Sequence, residues 1–308
     1  MDDMPLPDGY GFRTLTRDDA QAVTDLVAAT ELDVDGTVEI DVSDVRVDWE
    51  RPNFDLATMS VGVHHGDDLV AFAEVYRGRA EVEVHPTHRG RGIGIALMRW
   101  TWDAARRDRR NEVSQIVSDA HGSAVALLKA HAYQVGHVSW ILRIALDGDI
   151  AEPSLPDGLA IRDWRPGEDD RAVWRVIEDA FSEWPGRNEE TPFDDWKATI
   201  ADHEAVRPDT TPLVVDGDRI VGVAIGMDYS SETSNEGWVQ QLAVNRDDRG
   251  RGLGRALLHE TFRRFKAMGW DRAGLSTDSR TGALALYEHV GMHVDRSFTH
   301  WVKRLDDA

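Results

Sequence analysis

The chain has 308 residues, 41% of them hydrophobic, with 11 tryptophans, no cysteine, and 56 Asp plus Glu against 35 Lys plus Arg, a net charge of −21. That length and apolar content allow two ordinary domains with real cores, and the missing cysteines exclude a disulfide framework, a thiolate metal site and a cysteine nucleophile. The acidity argues against nonspecific attachment to nucleic acid or anionic membranes; because the acids are dispersed, as in a protein adapted to high internal salt, they say little about the substrate.

In chain order, Met1-Asp2-Asp3-Met4-Pro5 is polar and unlike a signal peptide. No apolar run approaches membrane-spanning length, so a cytoplasmic location is expected. Phe12–Leu15 reads as a strand, and Asp18 caps a helix running to about Thr30. Asp44 to Glu50 is a short helix ahead of Arg51-Pro52. Ser60–His65 and Leu69–Tyr76 form a hairpin about Gly66-Asp67-Asp68. Ala80–Val84 is the next strand, followed by a glycine-rich loop and a helix to about Arg107. Val113–Ser118 is a strand, Ser123–Ala132 a helix, and Val135–Leu146 closes the sheet.

Residues 147–157 are polar and contain prolines, the composition of a linker. The same order then returns. Leu159–Trp164 is a strand, Glu168–Glu183 and Pro192–Ala201 are helices, and Leu213–Val215 with Ile220–Met227 is a hairpin. Trp238–Val244 leads into a second glycine loop and a helix over 252–268, whose Leu253, Leu257, Leu258, Phe262, Phe265 and Met268 share one face. Ala273–Thr277 is a strand, Thr281–Val290 a helix, and a strand pair over Met292–Leu305 ends the chain. The expected fold class is therefore α/β (α+β), two tandem domains over 1–146 and 158–308, each a mixed twisted sheet flanked by helices.

The two loops are the internal repeat. Val82-Glu83-Val84-His85-Pro86-Thr87-His88-Arg89-Gly90-Arg91-Gly92-Ile93-Gly94 and Leu242-Ala243-Val244-Asn245-Arg246-Asp247-Asp248-Arg249-Gly250-Arg251-Gly252-Leu253-Gly254-Arg255 align with Arg89 and Arg249 160 residues apart. A glycine-rich entry into a helix offers unpaired N–H groups and the positive end of the helix dipole, a cradle for pyrophosphate. It is neither the Gly-x-Gly-x-x-Gly dinucleotide fingerprint nor a Walker loop.

The strand, the Arg-x-x-Gly-x-Gly loop and the amphipathic helix resemble motif A of the GNAT superfamily of N-acetyltransferases. The resemblance implies that the loop holds the pyrophosphate of acetyl-CoA. It makes Leu242, Ala243, Val244, Arg249, Gly250, Arg251, Gly252, Leu253, Gly254 and Arg255 donor-binding residues. In the first half it does the same for Val84, Arg89, Gly90, Arg91, Gly92, Ile93 and Gly94. Leu286-Tyr287-Glu288-His289-Val290-Gly291-Met292 resembles the family's motif B, whose tyrosine protonates the departing thiolate, which assigns Tyr287 as general acid. Leu128 stands at that place in the first half, with His131 and Tyr133 on other helical faces, so the first half is expected to be catalytically degenerate. Ser279 stands near the asparagine the family often carries and is assigned to the donor. Glu236, on the strand before motif A, is the candidate general base. Glu183, after the first helix of the second half, is the candidate acceptor ligand.

No His-Glu-x-x-His or Gly-x-Ser-x-Gly occurs, and His85 and His88 lie in a turn beside an arginine, so no metal is expected. The reading is transfer of an acetyl group from acetyl-CoA to a primary amine of a small molecule or peptide. A non-catalytic acyl-CoA sensor or interaction module, and transfer of another acyl group, remain the alternatives. The tandem organisation leaves the oligomeric state open.

Overall fold

A computed structural model describes residues 4–51, 53–184, 189–230 and 234–305. The chain forms two compact units, residues 1–138 with 296–308 and residues 139–295.

Unit 1 contains β1 (Tyr10–Arg13), α1 (Ala20–Asp35), α2 (Val42–Trp49), α3 (Leu56–Met59), β2 (Ser60–His65), β3 (Asp68–Tyr76), β4 (Arg79–Val84), α4 (Ile93–Arg107), β5 (Glu112–Ser118) and α5 (Gly122–Ala130). β6 (Gln134–Ala145) starts in this unit and ends in unit 2. Unit 2 continues with β7 (Leu159–Asp163), α6 (Asp170–Phe181), α7 (Phe193–Trp196), β8 (Pro212–Asp216), β9 (Arg219–Asp228), β10 (Glu236–Val244), α8 (Leu253–Ala267), β11 (Arg272–Asp278) and α9 (Leu284–His289). β12 (His293–Arg304) starts there and ends in unit 1. The expected helix over Pro192–Ala201 is α7 followed by a wider, π-type turn over Lys197–Ala201. α9 begins at Leu284, because the Thr281 hydroxyl accepts from the Ala283 N–H and holds the preceding residues in a turn.

Each sheet has helices on both faces because alternate strand residues are apolar on both sides. In unit 2, Val221 and Ala224 of β9 pack with Leu257, Phe262 and Phe265 of α8. Val223 and Ile225 face Val173 and Ile177 of α6 and Trp196 of α7. Unit 1 repeats this, with Ala71 and Ala73 against Leu97 of α4, and Phe72 against Leu26 of α1 and Trp49 of α2.

The last strand of each sheet differs from the sequence expectation. β6 and β12 each read as closing the half they end. Instead, Phe298–Arg304 of β12 pairs antiparallel with β5 in unit 1, and Ser139–Ala145 of β6 pairs antiparallel with β11 in unit 2. The expected boundaries at 146 and 158 therefore do not follow the compact units. The physical reason is core complementarity: Trp301 is 3% exposed within the unit 1 core, and Leu142 is fully buried within that of unit 2.

In both sheets one parallel pair is very short. β4 and β5 pair only at Arg79↔Ser114 and Ala80↔Gln115. β10 and β11 pair only from Glu236↔Arg272 to Trp238↔Gly274. Beyond these points the strands part. β10 keeps its other edge on β9 through Val244↔Gly222, with a register shift between Val239 and Gln241.

Residues 1–146 expressed alone lack Phe298–Arg304 and leave the place of Trp301 empty. Losing such a core side chain costs about 3–5 kcal/mol, a large part of a domain's stability. The expected outcome is no cooperative thermal melt for 1–146, with a melt recovered when residues 293–305 are supplied as a fused strand. A cooperative melt for 1–146 alone would contradict the exchange.

Candidate functional site

The two glycine loops have nearly the same backbone. Gly90 and Gly250 both sit at φ 74°, and Gly92 and Gly252 at φ 87° and 81°. These left-handed values explain the glycines. The space in front of them is open: a Cβ on Gly90, Gly92 or Gly250 would meet nothing within 4 Å, and one on Gly252 only Arg255 Nη2 at 3.9 Å. Gly254 differs, since its Cβ would lie 3.3 Å from Leu286 Cδ2, a tight contact with the side chain of α9. Gly252 and Gly92 directly precede α8 and α4, whose first-turn N–H groups lack intrahelical acceptors.

In unit 2 this cradle forms one wall of a cavity of about 590 Å³. The parted segment of β10, the facing part of β11 and α9 make the rest. Leu242, Val244, Arg249, Gly250, Gly252, Leu253, Gly254 and Arg255 line it. Arg255 makes no ion pair among the described residues, which leaves its guanidinium available to an anion. Ala243 is 2% exposed in the core, so only its backbone belongs to the strand edge.

Tyr287 also lines this cavity and is 8% exposed. Burial pushes its hydroxyl up to about 12, while a hydrogen bond with Thr277 acts the other way. Thr277 is itself bonded to Thr281 at 3.0 Å between hydroxyls. The sequence reading overlooked Thr277; its alternation on β11 with buried Leu275 was the available signal. It also overlooked the aromatic wall of Phe181 and Trp184, stacked 4.8 Å apart.

Four of the expected site residues lie apart from the cradle or are engaged elsewhere. Glu236 lies at the start of β10, where the strands are still paired, and does not line the cavity. It is 3% exposed; its Oε1 accepts from Arg143 Nε at 2.9 Å and its Oε2 from Arg272 Nε at 3.0 Å. Both carboxylate oxygens are thus engaged by guanidinium groups outside the cavity. Glu183 borders the cavity but is committed to the loop: its Oε2 accepts from Arg249 Nη1 at 2.6 Å, and Arg246 lies 3.0 Å from Oε1. Arg251 turns away from the cavity toward the buried Asp248, which Arg219 also holds. Ser279 is exposed outside the cavity, and Arg280 and Thr281 line it instead.

Arg249 braces the loop. Its Nε donates to the Val244 carbonyl at 3.2 Å and its Nη2 to the Ala180 carbonyl at 3.1 Å. Unit 1 repeats the brace: Arg89 Nε donates to Val84 O at 3.1 Å and Nη1 to Asp33 at 2.6 Å. Arg91 donates to Tyr10 and Thr87 rather than to the cavity.

Unit 1 also holds a cavity of about 590 Å³, lined by Val84, Arg89, Gly90, Gly92, Ile93 and Gly94. Leu128 is on its wall where Tyr287 stands in unit 2. Tyr133 is a core residue, its hydroxyl accepting from Trp102 Nε1 and Gln115 Nε2. Two carboxyl groups overlooked in the sequence, Glu81 and Glu83, reach this cavity. Glu81 borders the cavity; the protein packed around its carboxyl, then the charges of Glu74 and Glu83, push it up to about 8. Burial lifts Glu83 to about 7.

Among the described residues, no group of three or more His, Cys, Asp or Glu side chains is arranged to hold a metal. No helix among them is long and apolar enough to cross a membrane.

The model of the acetyltransferase (GNAT) family matches the chain twice, over residues 26–133 and 173–292. Curated relatives include a mycothiol acetyltransferase of Salinispora tropica, 34% identical over 225 residues, 68% of this chain and 68% of that one. Another, from Streptomyces avermitilis, is 32% identical over 250 residues, 75% and 76% of the two chains. Among solved structures, a GCN5-related N-acetyltransferase from Sphaerobacter thermophilus superposes with a TM-score of 0.77 at 30% identity, covering 99% of this chain and 98% of that one. A tandem GNAT protein from the clavulanic acid biosynthesis pathway shares the fold, with a TM-score of 0.71 at 17% identity over 97% and 99%.

The raised carboxyl of Glu81 makes a pH prediction. Its folded value of about 8 lies above the ordinary 4.5. Its contribution to stability is therefore complete below about pH 4.5 and is lost as pH rises through about 8. Glu81→Gln removes the ionisation, so its melting temperature relative to wild type is expected to rise from pH 5 to pH 9. A difference that does not change with pH would contradict the assignment.

Proposed function

The chain belongs to the acetyltransferase (GNAT) family and is an acyltransferase, and on that premise we propose that unit 2 transfers an acetyl group from acetyl-CoA to a primary amine on a small-molecule acceptor by direct attack. The observation that carries this reading is that the glycine cradle and Tyr287 line one cavity, at the place where β10 and β11 part.

The donor's pyrophosphate rests on the N–H groups of residues 250–254, with the Arg255 guanidinium beside it. Its pantetheine arm lies along the open edge of β10 between Val239 and Val244, as an added strand would. A backbone N–H at that edge polarises the thioester carbonyl. The amine nitrogen attacks the carbonyl carbon, the C–S bond breaks, the Tyr287 hydroxyl donates to the departing sulfur, and the nitrogen's surplus proton leaves to solvent, from which Tyr287 is reprotonated. A hydroxyl held at about 12 is protonated throughout the neutral range, the state a donor requires. With Glu236 clamped by Arg143 and Arg272, the incoming ammonium gives its proton to solvent. kcat/KM is therefore expected to rise with pH up to the pKa of the acceptor's own amine.

Tyr287→Phe keeps the ring and removes the donor. kcat is expected to fall about a hundredfold or more, with CoA affinity little changed. Unchanged kcat with a melt lowered by about 1 kcal/mol would instead make Tyr287 a core residue and overturn the assignment. Arg255→Ala removes a charge-assisted contact worth about 1.5–3 kcal/mol, so calorimetric titration is expected to show CoA binding weakened about tenfold or more. Equal affinity would remove Arg255 from the phosphate site.

A further inference from the structure

The two cavities have the same volume and nearly the same loop backbone, but opposite charge balance. In unit 2 the wall carries Arg249, Arg255 and Arg280 against Glu183 alone. In unit 1 it carries five carboxylates, Glu31, Asp35, Glu39, Glu81 and Glu83, against three guanidinium groups. Ile95 stands where Arg255 stands in unit 2, 160 residues later in the chain. A donor whose phosphate charges suit the first wall is repelled by the second.

Most of the charges in unit 1 are satisfied within the protein. Arg296 pairs with Glu39, and Arg89 Nη1 with Asp33 at 2.6 Å. Glu31 accepts from the backbone N–H groups of Glu39 and Ile40, and Asp35 from the Ser118 hydroxyl. Glu81 and Glu83 are left. They follow Arg79 at alternate positions on one face of β4, and none of the three forms an ion pair with the described residues. Ala80↔Gln115 is the last pair between β4 and β5, so Glu81 stands where the strands part. The other charges facing it are Glu74, its cross-strand partner on β3, and Asp48 on α2. Those around Glu83 are Arg89 and, on α1, Glu31. Burial, then Glu74 and Glu83, lifts Glu81 to about 8, and burial lifts Glu83 to about 7, the mark of carboxyl groups without a counter-charge. The loop end of the cavity has the opposite need. Arg89 Nη2 is buried with no hydrogen-bond acceptor among the described residues. Thr30 of α1, on the same wall and 5% exposed, has a hydroxyl with no hydrogen-bond partner among them. Arg89 is tied through Nε to the Val84 carbonyl, about 10 Å along the strand from Glu81.

We propose that the unit 1 cavity binds, without reacting with it, a small linear zwitterion, an aminoalkanoate, with its ammonium on Glu81 and Glu83 and its carboxylate on Arg89 Nη2 and the glycine loop. The ammonium supplies the counter-charge that the fork lacks, and the carboxylate supplies the acceptor that the orphan guanidinium N–H lacks. Between them, Val82, Leu127 and Leu128 give the methylene chain an apolar wall. No bond forms or breaks. Near neutral pH, binding releases the proton that Glu81 carries, because a carboxylate and not a carboxylic acid pairs with the ammonium. The site is independent of the chemistry proposed for unit 2.

The test is calorimetric titration of the full chain with aminohexanoate and aminooctanoate, which carry their two charges at opposite ends. Octanoate and octylamine are the single-charge controls, and acetyl-CoA is titrated separately. At least one zwitterion is expected to bind about tenfold or more tightly than either control. Its affinity is expected to rise about tenfold or more from pH 6 to pH 9 as Glu81 ionises, since an alkylammonium near 10.4 keeps its charge throughout. Glu81→Gln is expected to weaken binding about tenfold or more and to reduce that pH dependence. Melting curves confirm that the variant is folded. Acetyl-CoA is expected to bind once per chain, at the site that Arg255→Ala weakens. Zwitterions that bind no better than the controls overturn the proposal, as does binding untouched by Glu81→Gln. So does a second CoA per chain that competes with aminooctanoate. If no CoA binds while aminooctanoate binds through Glu81, the reading of unit 2 fails and this one stands.

Discussion

Both sites depend on a pair of parallel strands that stop pairing after two or three residues. Had β10 and β11 continued in register, their backbone groups would have satisfied one another and no ligand could enter. Because they part after Trp238↔Gly274, the edge of β10 is left with unpaired groups beside a cavity. The glycine loop follows at the end of that edge, and α8 carries its first-turn N–H groups to the same space. Position, more than residue chemistry, makes the proposed site: a strand edge, a helix start and one tyrosine converge on one cavity.

The charged groups around the fork do different work according to burial. Arg249 and Glu183 are 41% and 45% exposed, so their ion pair adds about 0–1 kcal/mol at most. Its value is geometric, tying the loop to the end of α6, and Arg89 with Asp33 does the same at α1. Glu236 is different. Its side chain is 4% exposed between Arg143 and Arg272, so removing both partners would leave an uncompensated buried charge, a loss of about 3–5 kcal/mol. It holds the paired end of β10 and β11 together, which fixes where the parting begins.

Much of this was legible in the sequence. The loop repeat, the face of α8 and the Tyr287–Leu128 contrast depend on local spacing, which a single chain displays. Glu236 could not be placed that way, because its partner Arg143 is far away in the chain and sits on an exchanged strand. The exchange was hidden for the same reason. β6 and β12 carry similar closing patterns, and only the cores decide that Trp301 belongs to one sheet and Leu142 to the other. Glu81 read as an ordinary outward residue of an alternating strand; its surroundings come from α2 and β3, which the sequence does not place beside it.

The most direct test of the account is a crystal structure of the full chain with CoA. The account predicts, in unit 2, pyrophosphate on residues 250–254 and the pantetheine arm along β10 from Val239 to Val244. It also predicts the sulfur within about 3–4 Å of the Tyr287 hydroxyl oxygen. CoA bound away from the glycine loop, or a sulfur out of reach of Tyr287, would contradict it.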